Sequence, residues 1–249
     1  MIRKILAVVL LVVTASHMHA WGDEGHSMVA DIAMHYLSPS VKAKVQSYLK
    51  TDTPAATAMW MDKMRNNAQY DYMKPFHFAN YEKEEAVVEM PNANVIHILN
   101  LTIADLRGYH SLNAGQVKYK LRLLFHLMGD LHQPLHVGYG SDRGGNEVNV
   151  KLNGHQMKLH SLWDSGIIQN RHIELQDCLD TPIRESLTGP INVLAWAKES
   201  RAALPKVYGF GTDKNINANY LATGEKITKL RLHLAGLRLA RILTEVFQS

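Results

Sequence analysis

The sequence contains a single cysteine, Cys178, so no internal disulfide can form. It also lacks a long apolar span. The run from Ile5 to Val13 falls short of the roughly 20 residues a helix needs to cross a bilayer. There is no internal repeat, no low-complexity tract and no obvious linker. A disulfide-stapled scaffold, a polytopic membrane protein and a repeat array are therefore excluded.

An excess of charge is missing too. The chain carries 27 basic and 23 acidic residues, for a formal +4. Residues 1–20 read as a secretory leader, with Arg3 and Lys4, the apolar run, and Ala20 at the end. Met18 departs from the small residue such a cleavage site prefers, and a single-pass anchor is the rival reading. Removing 1–20 leaves residues 21–249 with 25 basic and 23 acidic residues, a formal +2. Such a body does not grip nucleic acid by bulk charge, so any attraction for phosphate must be local. A secreted or periplasmic chain without disulfides needs another staple, and bound metal ions can be one.

Most of the mature chain has helical periodicity. Apolar residues recur at three and four over Ser27–Leu37, Val41–Leu49, Ala93–Gly108, Val117–Leu131, Ile191–Ala203 and Thr228–Phe247. In the last of these, Arg231, Arg238 and Arg241 are expected to face water. One stretch differs. Glu147–Leu152 alternates, Asn153-Gly154 is a strong hairpin turn, and Gln156–Leu159 returns. The expected fold is all-α: one mainly helical domain over 21–249 with a small β-hairpin.

Histidines and aspartates carry the chemistry. His126 and Asp130 lie four apart on one expected helix and so share a face. His160 and Asp164 repeat the spacing, and His136 follows the helix-ending Pro134. Zinc takes nitrogen from His and oxygen from Asp, usually four ligands near tetrahedral. His26 and His77 join the candidate ligands. His132 should face away and serve by hydrogen bonding, and His35, His97, His110, His172 and His233 read as isolated. Asn100-Leu-Thr102 matches a glycosylation pattern by chance, since it lies in an expected helix.

Taken together, several motifs resemble the trinuclear-zinc, single-strand-specific nucleases of the phospholipase C–nuclease superfamily. They are Trp21-Gly-Asp-Glu-Gly-His26, Trp60-Met-Asp62-Lys-Met-Arg65, Phe76-His77-Phe78-Ala-Asn80, the His126–His136 block, Gly144-Gly-Asn146, His160-Ser-Leu-Trp-Asp164 and Ala235-Gly236-Leu-Arg238-Leu-Ala240. The resemblance implies three zinc ions per chain. One would take Asp62, His77, His126 and Asp130. A close second would take the amine and carbonyl of Trp21, His26 and a bridging Asp130. The third would take His136, His160 and Asp164. It also implies a local charge of about +2 in the pocket, enough to hold a phosphodiester on a near-neutral protein.

The implied activity is cleavage of single-stranded DNA and RNA by a metal-activated water, leaving 5′-phosphates, with 3′-nucleotidase activity beside it. Asp62 and Asp130 would act in catalysis with Arg65, which would contact the phosphate. Phe78 would stack on a base, Asn80 would meet the base edge, and Asn146 would add a polar contact. Nucleic acids and nucleotides are the expected partners, with no stable protein partner, no membrane in the mature form, and a monomer. Two alternatives stay open: a zinc phospholipase C using the same metals, and a non-enzymatic periplasmic zinc-binding protein.

Overall fold

The computed structural model describes residues 21–248. The expected leader, 1–20, lies outside them. Six long α-helices dominate: α1 (Asp23–Tyr36), α2 (Pro39–Leu49), α3 (Val95–Arg107), α4 (Ala114–His132), α5 (Val193–Ala202) and α6 (Ala218–Phe247). Their starts follow local chemistry. Ser38, Asn94, Asn113, Asn192 and Asn217 each accept a backbone N–H of the following helix's first turn. Each such cap is worth about 0.5–2 kcal/mol. Asn113 and Gln116 complete a reciprocal capping box at the start of α4.

Helix α4 is the centre of the molecule, packing against each of the other five long helices. From Leu123 to His132 every residue is buried. Its apolar residues run almost all the way round, the pattern of a helix with neighbours on every side. The polar residues in this stretch, His126, Asp130 and His132, must therefore find partners inside the protein.

The hairpin forms as expected. Strands β1 (Asn149–Leu152) and β2 (His155–Lys158) pair antiparallel, Asn149 opposite Lys158 and Leu152 opposite His155. Asn153 and Gly154 take positive φ of 52° and 81°, as a tight two-residue turn requires. Immediately after β2 the chain enters Leu159–Ser161 and then a π-helical turn, Leu162–Gly166.

The arginines of α6 correct the expectation. Arg231, Arg238 and Arg241 are buried. Arg238 donates to Glu185, Glu199 and His132, Arg231 to Glu199, Ser200 and the His132 carbonyl, and Arg241 to Glu185. The carboxylates come from α5 and the segment before it, too far along the chain for helical periodicity to register. This network closes the C-terminal end of α4. Ser200 donates to the Leu131 carbonyl at 2.5 Å and His132 Nδ1 to the Met128 carbonyl at 2.8 Å. The Leu131 and His132 carbonyls, which the helix end leaves without partners, are thus satisfied by Ser200 and Arg231. His132 does face away from the site; its partners are Met128 and Arg238, not a candidate ligand.

Candidate metal centre

The candidate ligands come from several local structures. His26 lies in the first turns of α1, Asp62 in a short helix (Trp60–Met64), and His77 at the end of a 3₁₀ run (Ala68–His77). His126 and Asp130 share the buried face of α4. His136 sits in a 3₁₀ turn (Pro134–Val137) that Pro134 forces by ending the helix. His160 precedes the π-helical turn that holds Asp164, and such turns recur at functional sites.

All eight of these side chains are buried, and the fold brings them into three groups. They are His26, Asp62 and His126; His77, His126 and Asp130; and His136, His160 and Asp164, with ligand atoms in each group within 4.8 Å of one another. His126 belongs to two groups, and its ring stacks on His26 with centroids 4.0 Å apart. Asp62 falls with His26 and His126, and its Oδ1 lies 3.9 Å from His126 Nε2. Asp130 sits between sets. Its Oδ2 is 2.9 Å from His77 Nδ1 and 3.2 Å from His126 Nε2, while Oδ1 is 3.5 Å from His26 Nε2. A carboxylate with its two oxygens on different imidazoles has the geometry of a bridge. The hairpin returns His160 to within 5.0 Å of His136, ring to ring.

Backbone carbonyls set the tautomers. The Nδ1 of His126, His136 and His160 donates to the carbonyls of Ala58, His77 and Gly144, each at 2.6 Å. A carbonyl can only accept, so each Nδ1 carries a proton, and in the neutral ring each Nε2 keeps its lone pair. Those lone pairs face carboxylate oxygens, which are also acceptors. The centre therefore has too many acceptors and too few donors. Both ring nitrogens of His26, His136 Nε2, Asp130 Oδ1 and Asp164 Oδ2 have no hydrogen-bond partner among the described residues. Buried acceptors facing one another are costly unless a cation lies between them. The mixed nitrogen and oxygen donors fit zinc, and imidazoles oriented by second hydrogen bonds are its usual ligands.

The protonation tendencies of three histidines agree. Burial pulls His26, His136 and His160 below the ordinary histidine range, His136 to about 3. Neutral imidazole is the ligating form. Burial also pulls on His126, but the Asp130 and Asp62 carboxylates outweigh it and lift it to about 9. Burial pushes Asp130 up, yet His126 and His136 hold it well below the carboxylate range. Burial drives Asp164 well above that range, against the pull of a hydrogen bond from Gln133. A bound dication would relieve the cost of ionising Asp164.

Trp21 lies beside the ligands. Its ring packs against Gly25 and Gly129, and the next N–H, of Gly22, donates to the Asp164 carbonyl at 2.9 Å. Gly129 has no room for a side chain: a Cβ there would stand 2.6 Å from His26 Nδ1. The start of α1 is thereby pressed against the turn of α4 that presents Asp130.

Above the second and third groups opens a cavity of about 400 Å³, bordered by His77, His136 and His160. Arg65, Lys74, Phe78, Asn80, Arg143 and Asn146 also line it, and no acidic residue does. Arg65 Nη2 donates to Asp62 Oδ1 at 2.9 Å, so the guanidinium is held against a candidate-ligand carboxylate. Phe78 is 43% exposed. The extended segment it begins runs alongside the one that follows His136: Ala79 N–H donates to the His136 carbonyl and Tyr81 N–H to that of Gly138. Gly144 and Gly145 take positive φ of 61° and 79°, and the turn brings the Gly144 carbonyl to His160.

Three residues escaped the sequence reading. Gln133, between two ligands in sequence, holds Asp164. Lys74 and Arg143 reach the cavity, Arg143 from a left-handed backbone position at φ 55°. Gln133 could have been found from its place between ligands; a lone lysine and a lone arginine carry no spacing signal.

The family described as S1/P1 Nuclease matches residues 21–248. The chain belongs to the S1/P1 nuclease family. Endonuclease 2 of Arabidopsis thaliana is 27% identical over 290 residues, covering 98% of this chain and 99% of that protein. Nuclease P1 of Penicillium citrinum is 31% identical over 160 residues, covering 58% of this chain and 57% of that protein. The alpha-toxin of an avian strain of Clostridium perfringens superposes with a TM-score of 0.49 at 14% identity, over 93% of this chain and 66% of the toxin. Membership in a nuclease family overturns the non-enzymatic zinc-binding alternative. In this S1/P1 nuclease the eight candidate side chains are buried and fall into three groups that could hold metal ions.

Proposed function

We propose that this S1/P1 nuclease is a secreted or periplasmic endonuclease that cleaves single-stranded DNA and RNA with three zinc ions, leaves 5′-phosphates, and removes phosphate from 3′-nucleotides. The observation that carries the reading is the acceptor-rich centre opening into a cavity lined by basic residues and none that are acidic. His77, His126, Asp130 and Asp62 would hold one ion; His26, Asp130 and the backbone of Trp21 a second; His136, His160 and Asp164 a third. When bound, zinc supplies Lewis acidity toward phosphate oxygens and water.

The chain's own side chains do the rest. Arg65, anchored by Asp62, donates to a phosphate oxygen from the cavity wall and balances charge in the transition state. Phe78 offers its exposed ring to an unpaired base, a contact worth about 1–3 kcal/mol. Asn80 and Asn146 each have a buried Oδ1 without a hydrogen-bond partner among the described residues, and both line the cavity. They accept from the exocyclic donors of a base or from sugar hydroxyls. A base must leave its stack to reach Phe78, so duplex is disfavoured. The family match begins at Trp21, the residue that removal of 1–20 would expose, which supports the leader reading.

The test incubates zinc-loaded protein with single-stranded DNA, duplex DNA and phosphatidylcholine, and identifies the phosphate end on each cut oligonucleotide. Single-strand cleavage with 5′-phosphate ends, at three zinc ions per chain, is the expected result. Faster turnover of the lipid overturns the nuclease assignment in favour of a phospholipase C. Ends carrying 3′-phosphate overturn the direction of cleavage.

A further inference from the structure

The 3₁₀ run that ends at His77 carries more than a ligand. It reads Ala68-Gln-Tyr-Asp-Tyr-Met-Lys-Pro-Phe-His77, with three aromatic residues and a lysine. Among the described residues, Tyr72 and Phe78 are the two aromatic side chains in the set of exposed large apolar residues, at 53% and 43%. They stand six positions apart, Tyr72 within the run and Phe78 directly after it. Phe78 lines the metal cavity; Tyr72 does not, but Lys74, two residues on, does.

A half-exposed tyrosine is ordinary by itself. This one is braced. Its hydroxyl lies 3.0 Å from that of Tyr119, on α4. Its ring meets Phe76 at 5.9 Å and Tyr70 at 6.4 Å, and Tyr70 in turn abuts Trp60 at 5.3 Å. A ring fixed at its hydroxyl and its neighbours, yet left more than half in solvent, loses little entropy when a flat ligand settles on it. Lys74 pairs with Asp71 at 2.7 Å, but both side chains are more than half exposed, at 54% and 55%. Such a pair is worth little and yields readily to a phosphate.

We propose that Tyr72 and Lys74 form a second nucleotide subsite just outside the metal cavity. Tyr72 stacks on the base next to the one held by Phe78, and Lys74 takes the phosphate that joins them. This rests on the nuclease reading above and adds to it the reason a polymer is gripped better than a short phosphodiester. The cavity mouth supports the path, because Arg65, Lys74 and Arg143 line it without an acidic neighbour in the lining. Stacking tolerates any base, since each has a flat face, so the subsite selects length and single-strandedness rather than sequence.

The test compares zinc-loaded wild type, Tyr72→Ala, Tyr72→Trp and Lys74→Gln on two substrates: a single-stranded decanucleotide and bis(4-nitrophenyl) phosphate, a diester without a nucleoside. Tyr72→Ala is expected to raise KM for the oligonucleotide roughly 5- to 150-fold, the range a lost base stack spans, while kcat/KM on the small diester stays within twofold. Tyr72→Trp restores the oligonucleotide KM. Lys74→Gln lowers the slope of log KM against log salt for the oligonucleotide by about 0.7, the value for one phosphate contact on a single strand. Equal losses on both substrates, or no loss on either, overturn the subsite. A wild-type protein inert toward single-stranded DNA overturns the nuclease reading itself, and the subsite with it.

Discussion

Gln133 Nε2 donates to Asp164 Oδ1 at 2.6 Å, while Gln133 Oε1 accepts the Leu135 N–H at 2.5 Å. One buried amide thus ties the end of α4 to the π-helical turn and aims a candidate-ligand carboxylate. Outer contacts of this kind typically change metal affinity 10- to 100-fold. Gln133→Met keeps the volume and removes both hydrogen bonds. It should weaken the ion at His136, His160 and Asp164 by about that factor, leaving two tightly held ions. Titration against a competing chelator measures it; an unchanged third affinity would deny Gln133 its positioning role.

Asp130 joins the ligand sets through opposite oxygens. Asp130→Asn should therefore cost more than one ion, along with activity and thermal stability. A ligand present at a thousand times its Kd stabilises by about 4 kcal/mol. Chelator should lower the unfolding midpoint of the wild type clearly and that of the variant much less. A variant still holding three ions per chain would show that Asp130 does not bridge.

Trp21 is predicted to serve through a free α-amine. Protein beginning at Trp21 and protein with one added residue before it should differ in zinc content by one ion and in activity by orders of magnitude. Full activity with the extension removes the amine from the ligand set.

Glu185 links pH to stability. Burial raises its carboxyl, but hydrogen bonds and charge from Arg238 and Arg241 win and hold it below the ordinary 4.5. A folded value below the unfolded one stabilises the fold fully above pH 4.5, and that stabilisation is lost as pH falls through 4.5 toward the depressed value. Glu185→Gln should therefore be less stable than wild type at pH 7, with the gap narrowing below pH 4.5. Urea midpoints across pH 3–7 test this; a gap that stays constant would rule out the linkage. Arg238→Met removes the donor that Glu185, Glu199 and His132 share; Arg241 and Arg231 stay paired with the two carboxylates, so a loss of about 1–3 kcal/mol is expected at neutral pH.

Local pattern was enough for much of this molecule. Six helices and the hairpin stand where period and turn residues placed them, with ends that move. Helix α6 starts at Ala218, ten residues before Thr228, because Asn217 caps it there, and the polar first turns carry no apolar stripe. The Asn100 pattern is indeed helical, with Thr102 buried. His126 with Asp130, and His160 with Asp164, were legible as candidate ligands because imidazole and carboxylate at that spacing are rare without a purpose; Asp62 came only with the family resemblance.

Residue order alone fixes which side chains can ligate, where helices begin, and that one turn must return β2 to β1. It does not fix which groups share a space. Asp62 meets His26, Gln133 meets Asp164, and Arg238 meets Glu185 across gaps of 36, 31 and 53 residues. Those pairings depend on how helices cross around α4, and crossing geometry comes from packed volumes rather than from any periodic signal. The same packing buries three arginines that an isolated helix would leave in water. Only the tertiary fold could supply their carboxylate partners, and without those partners the burial would be prohibitive.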